Sequence, residues 1–397
     1  MIDVDKALEI IKIHKGKFGN EVVPLSQSIG RVLKESWHTD RPLPPYNRVT
    51  MDGIAIAHQD FSEDNRRFPL EGIAAAGDPQ KEKKETGSCY EVMTGAIVPL
   101  GCDTVIRYED ITITDGIALI NLPDIVKYKN VHDKGSDRIL DELIVSPNTI
   151  ISPAEIGVGA SLGKHKVEVA KLPKAIVIST GNELVDIEQK PLAHQIRKSN
   201  VYQVSTFLNT LGINCDTAHL DDKKEEIKEQ MQKYLEQYDV ILMSGGVSKG
   251  KYDFLPAVLE ELGAQKLFHK VAQRPGKPFW FGRRGSCTIF AFPGNPISSF
   301  MCMHYYFVEW LGESLGLPLR KTQLAVLTHR VKFKPDLTYF LEANISYSST
   351  GLVLATPQKG NGSGDLANLA EADAFIRLPR GKDIFEKGEV YPILVYR

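Results

Sequence analysis

A chain of 397 residues is too long for one ordinary hydrophobic core and calls for two to four domains. Its 42% hydrophobic and 25% charged content is that of a globular protein, and 48 basic against 50 acidic residues argue against a nucleic-acid coat or a polybasic membrane anchor. Five scattered cysteines with no CxxC spacing suit free thiols in a reducing cytoplasm, and no apolar run reaches the roughly 18 residues a membrane span needs. The amino terminus carries Asp3, Asp5 and Glu9 and does not read as a signal peptide.

Residues 2–15 read as an amphipathic helix, with Val4, Ala7, Leu8 and Ile11 on one face. Arg41-Pro42-Leu43-Pro44-Pro45 is too proline-dense for helix or central strand and reads as a linker. From 48 to 138 short strands alternate with Gly and Asp, among them Gly53–Ala57, Thr104–Tyr108 and Ile117–Asn121. Pro153 to Lys171 is glycine-rich and reads as a hinge through which the chain returns. Strand–helix alternation then begins, which implies right-handed crossovers and a parallel sheet. Its helices are expected at Ser199–Leu211, Lys223–Gln237 and Phe254–Leu262. Beyond about 319 β-type runs return: Ala325–Phe333, Thr338–Tyr347, Leu352–Ala355 and Val390–Tyr396.

Three apolar runs, Ala175–Ile178, Val240–Met243 and Thr288–Phe292, each lead into a loop of small residues. These loops are Ser179-Thr180-Gly181-Asn182-Glu183, Ser244-Gly245-Gly246-Val247-Ser248 and Pro293-Gly294-Asn295-Pro296. Loops at the carboxyl ends of parallel strands converge on one edge of the sheet, where open α/β folds bind ligands. Glycine lets backbone N–H groups approach an oxyanion, so the pattern points to a phosphorylated or otherwise anionic ligand. Glu183, Asp221, Asp222 and Asp253 fall beside the same loops. Helix capping explains such acids one at a time; a hard divalent cation bridging carboxylate and phosphate explains them together. Lys270, Arg274 and Lys277 surround a Pro-Gly turn, and one unit charge pair at about 4 Å is worth roughly 4 kcal/mol at an effective dielectric near 20, before desolvation. Met51-Asp52-Gly53, Met93-Thr94-Gly95 and the glycine-dense Gly360–Asp365 stand apart from the sheet.

In order along the chain, "RPLPPYNRVTMDGIAIA" (41–57), "VMTGAIVPLGCDTVIRYED" (92–110), "STGNELV" (179–185), "SGGVSKGKYDF" (244–254), "RPGKPFWFG" (274–282) and "FPGNPISS" (292–299) resemble the MoeA family, the molybdopterin molybdenumtransferases. The resemblance implies an α/β and β multidomain chain. A molybdopterin-binding, MogA-like α/β sheet domain would take 1–18 and 172–318, and an elongated connecting domain 19–43 and 139–171. A β-rich insertion would take 44–138 and a C-terminal β-barrel 319–397. It also implies transfer of molybdenum from molybdate into adenylylated molybdopterin, with Mg²⁺-dependent release of AMP, by a cytoplasmic homodimer that has no nucleic-acid or membrane partner. Docking on the adenylyltransferase that supplies the substrate is left open.

Carried over by position, Ser248 and Asp253 would handle the adenylate and its metal. Glu183, Asp221 and Asp137 would shape the pterin-phosphate and metal surroundings, with Asp253, Glu183 and Asp221 as metal ligands. Thr180, Gly245 and Gly246 would contribute to substrate binding. Lys270, Arg274, Lys277, Ser298 and Ser363 would cradle the oxyanion, and Pro293 and Pro296 would fix the amide-presenting loop. Asp52 and Thr94 would close the site from the partner subunit. The chain departs from the family pattern at Arg274 (commonly Lys), at Asn182 (commonly Asp), across His132–Asp137, and at Leu337–Phe340, which lacks an arginine found in some relatives. The alternatives were a CinA-like nucleotide-processing hydrolase, which shares the sheet, and a non-catalytic gephyrin-like scaffold.

Overall fold

A computed structural model describes residues 1–247, 254–317, 321–358, 360, 362 and 364–397. Contacts divide them into two units: Met1–Lys34, Pro147–Ile156 and Lys166–Arg397 in one, Glu35–Ser146 and Gly157–His165 in the other.

The first unit is organised by a six-stranded sheet of β1 (Ala175–Thr180), β2 (Cys215–Leu220), β3 (Val240–Ser244), β4 (Gln265–His269), β5 (Trp280–Arg284) and β6 (Cys287–Phe292). Their spatial order is β2-β1-β3-β6-β5-β4. The helices are α1 (Val4–Ile13), α2 (Asn200–Thr210), α3 (Lys224–Gln237), α4 (Leu255–Glu261), α5 (Pro296–Cys302) and α6 (Val308–Leu315), with a wider π turn, Met303–Phe307, joining the last two. Side chains alternate across a strand, and here both faces are covered. Val177, Leu242 and Phe290 pack with α1, α2, α5 and α6, while Ile178, Met243 and Ile289 pack with α3 and α4. Two covered faces are why β1, β3 and β6 are unbroken apolar runs.

The sheet is not wholly parallel. β2, β1, β3 and β6 are, but β5 runs antiparallel to β6 and β4 antiparallel to β5. A tight turn at Arg284-Gly285-Ser286 joins β5 to β6, with Gly285 at φ +57°, and antiparallel neighbours need only such a short link. The glycine-rich passage is built of regular elements: Pro153–Ser161 is a helix and Lys166–Ala170 a strand paired with Asn20–Pro24, and the chain crosses between the two units on either side of Gly157–His165. Ser152 and Glu155 form a capping box, in which the Ser152 N–H donates to Glu155 Oε2 (2.8 Å) and the Ala154 N–H to Ser152 Oγ (3.2 Å). Pro153 fits a first helical position, which offsets the weakness of Gly157 and Gly159.

Beyond the sheet, five strands close on themselves in the order Thr338–Tyr347, Val353–Pro357, Gln323–Leu327, Val390–Val395 and Ala374–Leu378, the last pairing back with the first. This is the C-terminal β-barrel; the expected junction at 318–319 lies outside the described residues. Ala374–Leu378 and the short helix Leu366–Glu371 were not anticipated.

The second unit carries a six-stranded sheet ordered Thr104–Arg107, Gly53–Ile56, Cys89–Val92, Arg67–Ala74, Ile117–Ile120, Ile111–Thr114. The proline-rich passage is no free linker, because the Leu43 carbonyl accepts from the N–H groups of Asp137 (2.9 Å) and Arg138 (3.1 Å), and the Leu43 N–H donates back to the Arg138 carbonyl (2.8 Å).

Candidate active site

From β1 the chain moves outward to β2, then returns past β1 to β3. That reversal splays the connections apart and opens a crevice at the carboxyl ends of β1 and β3. A cavity of about 550 Å³ lies there, with Thr180, Gly181 and Glu183 after β1, Gly245 and Gly246 after β3, and Pro293 and Pro296 after β6 in its wall. A larger cavity of about 1080 Å³, between Ile29–Val32 and α6, is mainly aliphatic. Its charged wall residues Arg31, Glu309 and Glu313 are paired with Glu21, Lys12 and Lys15, so it offers little charge to an anion.

Local conformation explains the loops. Gly245 has φ +99°, and a Cβ there would lie 2.7 Å from Thr180 Oγ1 and 3.0 Å from the Thr180 carbonyl oxygen. Only glycine lets the β1 and β3 loops touch. Its N–H donates to the Phe292 carbonyl (3.2 Å), which draws in the third loop. Gly181, at φ +131°, has the Glu183 carboxylate folded over it, 2.5 Å from where a Cβ would stand. Thr180 Oγ1 is buried without a hydrogen-bond partner among the described residues. An unpaired buried hydroxyl in a cavity wall is a donor waiting for a ligand.

The polar wall residues Arg197, Lys198 and Asn200 were missed in the sequence. Asn200, at the start of α2, donates through Nδ2 to Ser244 Oγ (2.6 Å) and to the Gly294 carbonyl (2.7 Å), stitching two loops to a helix. Lys198 is held by Asp186 at 3.0 Å, and Arg197 Nε donates to the Gln189 carbonyl at 3.1 Å. The polar run Arg197-Lys198-Ser199-Asn200 was the available signal.

Asp222 lines the cavity, with its N–H on Asn182 Oδ1 at 3.0 Å. The Asp221 carboxylate stands instead 3.6 Å from His219 Nε2, and His219 Nδ1 shares a 2.9 Å hydrogen bond with Ser179 Oγ. Burial, reinforced by the Lys198 charge, lowers the His219 pKa from its ordinary value.

Lys270, Arg274 and Lys277 are not in the cavity wall; of the stretch 270–278 only Pro278 is. Arg274 and Lys277 are exposed, because the buried Gln273 anchors the turn from beneath through the Gly276 carbonyl (3.1 Å) and the Tyr306 hydroxyl (2.5 Å). Ser298 is buried in the first turn of α5 and does not line the cavity. Ser248, Asp253 and Ser363 lie outside the described residues; their neighbours Val247 and Gly364 belong to the wall.

In the second unit, Asp52 and Thr94 form one device. Asp52 Oδ1 accepts from the Thr94 hydroxyl (2.7 Å) and N–H (2.6 Å), which hold its carboxyl below the ordinary range. Gly53 is required because a Cβ there would meet the Ile106 carbonyl at 1.9 Å. Asp137 is exposed and sits 3.0 Å from His132 Nε2, with Arg48 3.1 Å beyond on Nδ1.

No group of three or more His, Cys, Asp or Glu is gathered to hold a metal among the described residues. Glu183 and Asp222 offer oxygen donors, enough for Mg²⁺, which commonly takes one or two carboxylates and completes its shell with substrate phosphate and water. Burial pushes the thiols of Cys89, Cys102 and Cys287 up to about 12, so none of these is a ready nucleophile. No helix among the described residues is long and apolar enough to cross a membrane.

Fold and site together define an α/β protein with a glycine-walled cavity at a strand switch point, and the same chain carries a β unit and a β-barrel. Residues 2–163 match the MoeA N-terminal region (domain I and II), 176–313 a probable molybdopterin binding domain, and 324–396 the MoeA C-terminal region (domain IV). The molybdopterin molybdenumtransferase of Synechocystis is 40% identical over the whole of both chains. That of Bacillus subtilis is 29% identical over 100% of this chain and 94% of its own. A crystal structure of the molybdopterin biosynthesis MoeA protein of Pyrococcus horikoshii superposes with a TM-score of 0.85 at 29% identity, covering 100% of this chain and 99% of that one. The chain belongs to the MoeA family, the molybdopterin molybdenumtransferases of molybdenum-cofactor biosynthesis. Matches on both sides of the sheet leave no room for a sheet-only hydrolase of the CinA type, and the full-length molybdopterin molybdenumtransferase relatives favour an enzyme over a scaffold.

Proposed function

We propose that the cavity between β1 and β3 binds adenylylated molybdopterin beside molybdate, and that molybdenum enters the dithiolene as AMP is released. The carrying observation is the cavity wall itself: glycine amides, an unpaired Thr180 hydroxyl, the cations Arg197 and Lys198, and the acids Glu183 and Asp222 around about 550 Å³. The glycine amides and the Arg197 guanidinium would hold the phosphoanhydride by charge-assisted hydrogen bonds, since Asp186 takes up the Lys198 charge. Glu183 and Asp222, with Asp253 nearby in sequence, would hold Mg²⁺. When bound, Mg²⁺ supplies charge neutralisation on the phosphate oxygens. Molybdate is a tetrahedral dianion, and the exposed Arg274 and Lys277, with Lys270 beside them in sequence, are the cations that would draw it in. Holding both reactants together makes a bimolecular exchange a positioned one. No side chain need bond covalently to substrate.

The active species we propose is a cytoplasmic homodimer, in which Asp52 and Thr94 of one chain close the cavity of the other. The exposed Asp52–Thr94 pair is held by two hydrogen bonds, which fix the Asp52 carboxylate as an acceptor. Purified protein with adenylylated molybdopterin, molybdate and Mg²⁺ should release AMP and yield cofactor that activates an apo-molybdoenzyme. Chelation of the divalent cation should stop both. AMP release without transferable cofactor would sink the reading.

A further inference from the structure

A second, smaller cavity of about 240 Å³ lies between α2 and the β1–β2 edge and shares Ser179, Lys198 and Val201 with the large one. Whole-ligand pockets run to about 300–1,000 Å³, so this space suits one ring system rather than a complete substrate. Its polar wall includes Asp186, Lys198, Ser205 and His219, with Tyr202 beside them. We propose that this cavity is the recognition subsite for a 2-amino-4-oxopyrimidine edge, that of the pterin ring. The inference rests on the reading of the large cavity given above and assigns the non-phosphorylated end of the same substrate.

The charge pattern selects that edge. Lys198 Nζ and Asp186 Oδ1 stand 3.0 Å apart and cancel each other, so a free anion gains little here. A carboxylate has about four acceptor positions and an ammonium three donors, so one mutual bond leaves both with capacity. Side by side they form an acceptor next to a donor. The pterin edge presents the complement, two adjacent N–H groups followed by a carbonyl oxygen. Adenine can meet one Asp186 oxygen with its exocyclic N–H and Lys198 with ring N1, but it lacks the second adjacent N–H that the pterin edge presents. Tyr202, 43% exposed, gives the bicyclic ring an aromatic neighbour. Lys198 is already held, its side chain 13% exposed, so little ordering remains to be done on binding. A ring seated here would direct its substituents past Lys198 into the large cavity.

Guanine carries the same edge, so the test must separate the two sources. The intact protein is titrated with fluorescent 6-hydroxymethylpterin, with GMP and AMP as competitors, and then assayed for AMP release from adenylylated molybdopterin. Two variants are compared: Asp186→Asn, nearly isosteric, and Ser205→Phe, which fills the small cavity from a residue outside the large one. The wild type should bind the pterin more tightly than either AMP or GMP. Each variant should weaken pterin binding and raise KM about tenfold or more, with kcat preserved. Pterin affinity and KM unchanged in both variants would overturn the subsite, as would failure of the wild type to bind the pterin. Tighter binding of GMP would overturn the pterin assignment. Because the titration needs no turnover, a wild type that binds pterin yet releases no AMP would leave the subsite standing and remove the reaction instead.

Discussion

Single residues set the site by what they exclude. At Gly245 a methyl group would press on Thr180 from 2.7 Å, at a φ of +99° that side chains rarely adopt. Gly245→Ala should therefore cost about 1–3 kcal/mol from strain alone and part the β1 and β3 loops. A lowered denaturation midpoint together with weakened AMP binding is expected, and normal values of both would show that the loops need not touch. Glu342 makes a different point. It is 8% exposed on the barrel, and burial, with the Asp365 charge adding to it, raises its pKa. The folded chain thus holds this proton more tightly than the unfolded chain. Its stability contribution is complete below the ordinary carboxyl range, falls as pH rises through the unfolded value towards the raised one, and stays low above it. Glu342→Gln should melt higher than wild type at neutral pH, with the gap closing below about pH 4. A gap independent of pH would assign the effect to packing instead.

At the scale of elements, legibility in the sequence followed burial. β1, β3 and β6 stood out because both faces are covered, whereas edge strand β2, Cys-Asp-Thr-Ala-His-Leu, mixes polar and apolar residues and is only half visible. β4 and β5 were missed as antiparallel members because a glycine turn carries little information about which neighbour a strand chooses. The Pro153–Ser161 helix was hidden by its glycines, although Ser152 and Glu155 announced it. In the site, the glycine loops were legible because backbone geometry demands that residue type. Arg197 and Lys198 were not, since charged residues at the end of a two-residue strand have no period to betray them. Asn200 shows how an element end becomes part of a site, because its two hydrogen bonds join α2 to the loops after β3 and β6. Asn200→Ala should cost about 1–3 kcal/mol through the groups left unpaired and loosen both loops. Faster amide exchange at Gly245 and Asn295 would report it, and unaltered exchange would show that the loops hold themselves.

For the molecule as a whole, the question is why a site built at one sheet edge should depend on Asp52 and Thr94. Their hydrogen bonds give Asp52 a fixed, ionised carboxylate facing solvent, an arrangement that stabilises little by itself. A cyclic dimer can carry such a group to the neighbouring chain's cavity twice over, once in each direction. If each cavity is completed in that way, the defects of two inactive variants are separable by mixing. Asp52→Ala lacks the closing acid but keeps a sound cavity, while Gly245→Ala lacks the cavity but keeps the acid. Random reassortment after mild dissociation makes half the dimers mixed, and each of these holds one cavity with both parts intact. The mixture should recover about one quarter of wild-type AMP release, and neither variant should recover anything alone. If Asp52 serves the cavity of its own chain, no mixed dimer contains an intact site and mixing restores nothing.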